Sequence, residues 1–233
     1  MAHKKLIRFA ELETFENVLQ FPKNIRGKWN EFFKNNNSII LELACGKGEY
    51  TVGLARLHPD KNFIGIDVKG NRIWVGAKRA LENTLSNVAF LRTQIDQVNE
   101  YFSRDEVDEI WITFPDPHLR KSKAKKRLTH PKFLRLYQQF LKPGGYIHLK
   151  TDSPDLYHFT KMVIEMYACS SVADYEDLYS EPNITEELKI KTHYESLDIA
   201  ASNRVHFVRF SLPAQLAERE KDEELKQLLK NEE

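Results

Sequence analysis

The 233-residue sequence predicts an α/β protein built on a doubly wound, mostly parallel sheet. Three observations predict it. Short apolar runs alternate with helix-length amphipathic stretches between residues 38 and 166, which is the rhythm of βαβ units. The first unit carries a glycine turn, Gly46-Lys47-Gly48, between its strand and its helix, a place where backbone can pass close to a ligand. The last strand-like run, residues 204–210, alternates residue by residue in the manner of an antiparallel strand, and such strands join parallel sheets readily.

Taken in order, residues 3–36 carry helical periodicity, with Leu6, Phe9, Leu12 and Phe15 at near-helical spacing and Trp29, Phe32 and Phe33 grouped further on. A helical lead-in is expected over residues 1–37; its basic residues Lys4, Lys5 and Arg8 suit either RNA or a solvated helix face. Residues 39–43, Ile-Ile-Leu-Glu-Leu, read as the first strand, followed by the turn and a helix to about His58. A second strand at 63–67, a helix near 71–84, a strand at 88–91 and a short helix near 95–102 continue the pattern. Strand 107–114 leads into a Pro-Asp-Pro stretch, then come helix 131–141, strand 146–150, helix 154–166 and a strand around 172–175. A polar stretch to about Leu197 precedes strand 204–210, placing the α/β domain over residues 38–212. Residues 213–233 read as a charged helix or frayed tail, with solvation as its expected role.

Composition narrows the function classes. At 41% apolar the chain can build one substantial core. No run approaches the roughly 18 apolar residues of a membrane span, and the N-terminus shows no apolar signal segment, so a soluble, cytoplasmic protein is expected. Cys45 and Cys169 lie far apart, and the eight histidines are scattered, so neither a disulfide framework nor a metal site is expected. The net charge of +1 hides an asymmetry, because the charged residues of 120–127 are all basic while those of 218–224 are mostly acidic. A local patch, not bulk charge, would bind a polyanion.

The turn and its surroundings point to a nucleoside cofactor. Gly46 and Gly48 let the backbone approach a ligand, and Asp67 ends the second strand at the spacing where an acid accepts both ribose hydroxyls. Dinucleotide enzymes rest a pyrophosphate on a third glycine of this turn, but Thr51 stands there instead. Glu42, ahead of the turn, would repel phosphate and suits a cation such as the sulfonium and ammonium of S-adenosyl-L-methionine; a capping or salt-bridging acid is the other reading.

Residues 114–128 carry the second signal. Asp116 stands between Pro115 and Pro117, which keep it out of a helix and present it from a stiff backbone just past a strand's carboxyl end. Behind it run Arg120, Lys121, Lys123, Lys125, Lys126 and Arg127 without an acid among them. Taken alone, this is either a site or a Pro-rich turn followed by a solvated basic loop.

These pieces together resemble the bacterial tRNA (guanine-N7-)-methyltransferase family. The resemblance rests on the string Glu42-Leu43-Ala44-Cys45-Gly46-Lys47-Gly48, Asp67, Phe114-Pro115-Asp116-Pro117 with its basic run, Thr151-Asp152 and Thr192-His193-Tyr194-Glu195, in that order over roughly residues 38–211. It implies a Rossmann-like class I methyltransferase fold, a seven-stranded sheet with an antiparallel C-terminal strand. It also implies methyl transfer from S-adenosyl-L-methionine to N7 of a guanine in tRNA, in the variable loop. Carried over by position, Glu42, Asp67 and Gln94 contact the cofactor, Asp67 through ribose and Gln94 near the adenine. Asp116 is the catalytic carboxylate facing base and cofactor, and Arg120, Asp152, Thr192 and Glu195 meet the guanine or its RNA. The chain departs from the family at Ala44, Gln94, His118-Leu119, Arg120 and Ser122-Lys123, yet stays basic throughout the run.

The chemistry suits these residues. Guanine N7 is an unprotonated lone pair, so transfer needs in-line placement and exclusion of water more than a base. Asp116 would stabilise the cation that forms, Asp152 from the adjacent strand end would help hold the purine edge, and the basic run would hold phosphates while a loop base enters. His118 would stack on the base or serve structure. Three rivals share parts of this pattern: a methyltransferase for a small molecule, one for another RNA, and a catalytically silent RNA-binding protein. A nicotinamide dehydrogenase conflicts with the turn. A monomer and a homodimer are equally compatible with the sequence.

Overall fold

The structure, a computed structural model, describes residues 2–197, 204–217 and 220–231. In chain order the elements are α1 (Ala2–Leu12), β1 (Val18–Gln20), α2 (Trp29–Phe33), β2 (Ile39–Leu43), α3 (Glu49–Leu57), β3 (Asn62–Asp67), α4 (Gly70–Glu82) and β4 (Val88–Arg92). The second half holds β5 (Val107–Thr113), α5 (Pro131–Tyr137), β6 (Leu141–Thr151), α6 (Pro154–Met166), β7 (Ser170–Tyr175), α7 (Glu186–Lys189), β8 (His206–Ser211) and α8 (Glu220–Asn231). Short 3₁₀ helices at Ile95–Glu100 and Lys121–Lys126 fill two of the connections.

The eight strands form one sheet in the order β1-β4-β3-β2-β5-β6-β8-β7. Strands β1 to β6 pair in parallel, and β8 runs antiparallel between β6 and β7. The α/β, Rossmann-like class I methyltransferase architecture is thus present, with one strand more than the seven expected. The extra strand comes from the lead-in: Val18-Leu19-Gln20 pairs with Phe90-Leu91-Arg92 at the sheet edge, so residues 3–36 are helix, strand and helix in turn. Helical spacing of Leu12 and Phe15 masked this short run, whose register depends on a distant strand.

β2 is buried at all five positions, as a central parallel strand must be. One face of the sheet packs with Trp29, Phe102, Tyr137 and Phe159, the other with Leu12, Tyr50, Ile73 and Phe90. Trp29 stacks on Phe102 with ring centroids 5.3 Å apart. Helices α5 and α6 both begin on proline at a position where its missing N–H is not needed. Their caps accept from the first turn, His130 Nδ1 from Lys132 N at 3.0 Å and Ser153 Oγ from Leu156 N at 3.3 Å. No described helix is long and apolar enough to cross a membrane.

β8 is antiparallel, as its alternation implies, and is an interior strand bonded on both sides; both of its faces are covered, with Phe207, Val208 and Phe210 buried. One further expectation changes. The stretch expected only to solvate the C-terminus instead closes the core. Leu216, Leu225 and Leu229 are buried in it, and Arg135 Nη2 donates to Asp222 Oδ1 at 2.7 Å. Asp222 also accepts from Tyr167 Oη at 2.6 Å.

Candidate active site

The strand order reverses between β2 and β5, and a cleft of about 1000 Å³ opens at the carboxyl ends of the parallel strands there, where open α/β sheets hold ligands. Ala44 follows β2, Asp67 ends β3, Thr93 and Gln94 follow β4, Phe114 to Pro117 follow β5, and Asp152 follows β6; all of them line this cleft.

At one end the turn after β2 holds three left-handed residues, Ala44 at φ 56°, Gly46 at φ 56° and Gly48 at φ 68°. Gly46 N donates to Asp67 Oδ2 at 3.0 Å, and Lys69 N donates to Asp67 Oδ1 at 2.8 Å. The carboxylate is therefore fixed by two backbone amides on the cleft wall, while each oxygen keeps a lone pair to offer. The two glycines differ in role. A Cβ on Gly46 would meet only Tyr194 Cε2 at 3.8 Å, whereas one on Gly48 would lie 2.6 Å from Phe90 Cε1. Gly46 leaves room for a ligand; Gly48, expected to do the same, serves the packing of α3 on the sheet.

Glu42 also lies elsewhere than expected, beneath the turn and not on the cleft wall. Its Oε2 accepts from Thr51 N at 2.7 Å and from Thr51 Oγ1, and its Oε1 accepts from Thr113 Oγ1 at 2.7 Å. Burial lifts its pKa to about 7 against these hydrogen bonds, which favour the charged form. Thr51, which displaced the dinucleotide glycine in the sequence, is thus Glu42's partner, and the acid ties the start of α3 to the end of β5. Gln94 faces the cleft at the start of the Ile95–Glu100 helix.

At the other end Phe114 and His118 take φ values of 46° and 45°, left-handed backbone that side chains adopt at a cost of about 1–2 kcal/mol per residue. Between them, Asp116 projects with its side chain 74% exposed, its Oδ1 accepting from His118 N at 3.1 Å. Phe114 N donates to Lys150 O at 2.8 Å, so the loop leaves β5 still bonded to β6. The parallel pairing of Thr113 with Lys150 brings Asp116 and Asp152 to the same cleft, as their strand ends implied.

The basic run folds as the Lys121–Lys126 helix. Lys125 and Lys126 line the cleft, Arg120 and Lys123 are exposed beside it, and Lys121 is half-buried. Arg127 differs from the expectation, being buried with Nε donating to Pro117 O at 3.1 Å and Nη2 donating to His118 O at 3.3 Å. Its guanidinium lies 4.5 Å above the Phe159 ring. It braces the Pro-Asp-Pro loop from behind.

Thr192 and Glu195 also turn away from the cleft. Thr192 Oγ1 accepts from Glu195 N at 3.1 Å, and the Glu195 carboxylate accepts from Lys150 Nζ at 3.1 Å and from Tyr179 Oη. The member of Thr-His-Tyr-Glu that lines the cleft is Tyr194, joined there by Lys69, Arg72 and Lys132. Sequence reading passed over these four. A faint signal existed for Lys150, a charge near the end of an otherwise apolar strand.

Comparison with known proteins places the chain in a family. A family model described as "Putative methyltransferase" matches residues 36–208. The chain is 43% identical to the tRNA (guanine-N(7)-)-methyltransferase of Bacteroides thetaiotaomicron, with 97% of this chain and 92% of the relative covered. It is 46% identical to that of Christiangramia forsetii, covering 89% of this chain and 97% of the relative. Among solved structures, the 16S rRNA methyltransferase KamB superposes with a TM-score of 0.61 at 15% identity, over 80% of this chain and 93% of that one, which speaks for the fold. The chain belongs to the tRNA (guanine-N(7)-)-methyltransferase family.

Proposed function

We propose that this chain binds S-adenosyl-L-methionine at the Asp67 end of the cleft and methylates N7 of a guanine in the variable loop of tRNA, as a soluble cytoplasmic enzyme. The observation that carries the reading is the continuity of one cleft from Asp67 and Gln94 to Asp116 and Asp152. The residues fit the cofactor: Asp67 has lone pairs left for ribose hydroxyls, the space above Gly46 is open, and no glycine cradle for a pyrophosphate is built. When bound, the cofactor supplies a methyl group on a positively charged sulfur.

The chain's own residues do the rest. Asp67 and Gln94 orient the adenosine, while the amide of Gly46 stays committed to Asp67. Asp116 meets the incoming guanine, accepting from its N1–H and amino group and stabilising the positive charge that N7 methylation leaves on the ring. Asp152 holds the same purine edge from the neighbouring strand. Because Asp116 is exposed, the RNA itself must complete the exclusion of water at this end. Arg120, Lys123, Lys125 and Lys126 supply contacts to phosphates, which position without reading sequence; Lys121, expected to join them, has its ammonium buried away from solvent. Arg127, Thr192 and Glu195 act from behind the wall.

The experiment is direct. Full-length protein, labelled S-adenosyl-L-methionine and undermethylated tRNA should give label at one guanine as 7-methylguanosine; label on free nucleotides but not on tRNA, or none at all, would overturn the reading.

A further inference from the structure

Lys150 is a wholly buried cation at the end of β6, one position before Thr151. Its Nζ lies 2.9 Å from Leu188 O, 2.9 Å from Ile190 O, 3.1 Å from Tyr179 Oη and 3.1 Å from Glu195 Oε2. The rings of Tyr50, Phe114 and Tyr179 stand 5.5, 5.7 and 5.4 Å from it. Such desolvation costs several kcal/mol for an ion, and acceptors on this scale are what offset it. Burial still pushes its pKa below the usual lysine value, with Glu195 pulling the other way.

The four partners of the ammonium share one property. All belong to residues 179–195, the segment that brings Tyr194 to the cleft, and two of them, Ile190 O and the Glu195 carboxylate, bracket Tyr194 in the chain. The backbone of Lys150 serves the opposite wall, its carbonyl accepting from Phe114 N at 2.8 Å ahead of Pro115-Asp116. Asp152 follows two residues later. One residue thus touches each piece of the cleft that must be mutually aligned. Tyr194 itself reaches the cofactor turn, 3.8 Å from where a Cβ of Gly46 would stand, with the Arg72 guanidinium 5.4 Å from its ring.

We infer that Lys150 is a positioning residue, which from behind the cleft wall fixes residues 188–195 in register with the Asp116 loop and so seats Tyr194 between the cofactor turn and the incoming base. The inference rests on the proposed methylation of tRNA. Removing the ammonium leaves the buried Glu195 carboxylate without its cation, and Lys150 is the β6 side chain that ties this segment to the sheet. The Pro-Asp-Pro loop keeps its bond to the Lys150 carbonyl in any substitution. The damage should therefore appear as misalignment, not as lost RNA capture.

The test compares Lys150→Met, which keeps the length of the stem, with the unaltered chain in steady-state methylation of tRNA. A displacement on the 1 Å scale predicts a fall of about 100-fold in kcat with the KM for tRNA changed less than about threefold. A double-mutant cycle with Glu195→Gln follows: if Lys150 acts through Glu195, Lys150→Met should cost less than about fivefold in the Glu195→Gln background. Should Lys150→Met not fold, Tyr179→Phe removes the hydroxyl between lysine and acid, and a loss of about threefold to tenfold in kcat is expected. An unchanged kcat in a folded variant, a loss confined to KM, or multiplicative effects in the cycle would each overturn the inference. Absence of tRNA methylation by the unaltered chain would instead remove the proposed activity, so the two failures are distinguishable.

Discussion

At the Asp67 end of the cleft the carboxylate is 8% exposed and held by two backbone amides, on a turn whose glycine packs against Phe90. At the Asp116 end the carboxylate is 74% exposed, has one backbone amide donor, and sits between two left-handed residues on a loop braced by Arg127. On the proposed function, the first end is finished when the chain folds and the second when RNA covers it. Substitutions at the two ends should then fail in different ways, the first through stability and cofactor affinity, the second through turnover.

The sharpest separation is Asp116→Ala. On the proposed role of Asp116, losing its charge should lower kcat by about 10²–10³-fold, while calorimetry should find the cofactor Kd within about threefold of the original. A parallel loss of cofactor affinity would erase the distinction between the ends. At the other end, Gly48→Ala sets a Cβ 2.6 Å from Phe90 at φ 68°. Overpacking and left-handed strain together predict about 2–4 kcal/mol less unfolding stability in urea. Gly46→Ala has the room that Gly48 lacks and should cost only about 1 kcal/mol, with cofactor affinity as the larger casualty. Equal melting curves for the two variants would contradict their assigned roles. The smallest effects concern the basic helix: Lys125→Ala or Lys126→Ala should reduce the salt slope of tRNA binding by about one and weaken it a few-fold. Arg127→Ala should leave that slope alone and lower the melting temperature instead, because its hydrogen bonds end on Pro117 and His118 carbonyls.

Much of the frame was legible because its causes are local. Ile39–Leu43 and Asn62–Asp67 are apolar runs buried on both faces, and proline with a cap residue fixed the starts of α5 and α6. Asp116 and Asp152 were legible as partners because parallel pairing carries adjacent strand ends to one place. What escaped depends on long-range contacts. β1 exists only against β4, 72 positions away for each paired residue. Arg127 looks like its neighbours in sequence and differs only because Phe159 and two carbonyls receive it. Thr192 and Glu195 were read as meeting the RNA, yet the fold points Glu195 at Lys150, turns Thr192 onto the Glu195 amide and leaves Tyr194 to the cleft. Glu42 was identified as an acid belonging to the turn, but that its oxygens would be consumed by Thr51 and Thr113 follows only from the fold.

The clasp of α8 has a consequence for synthesis. Leu225 and Leu229 fill the same core as Trp29 and Phe102, and the Arg135 to Asp222 pair locks them in place, so this core is closed by residues translated after everything they cover. The opposite face, around Tyr50 and Phe90, is complete before that. A nascent chain leaving the ribosome at about 5–20 residues per second would therefore carry one sealed face and one open hydrophobic face until the helix arrives. That interval places the hazard of misassembly at the moment α8 docks, far from the cleft.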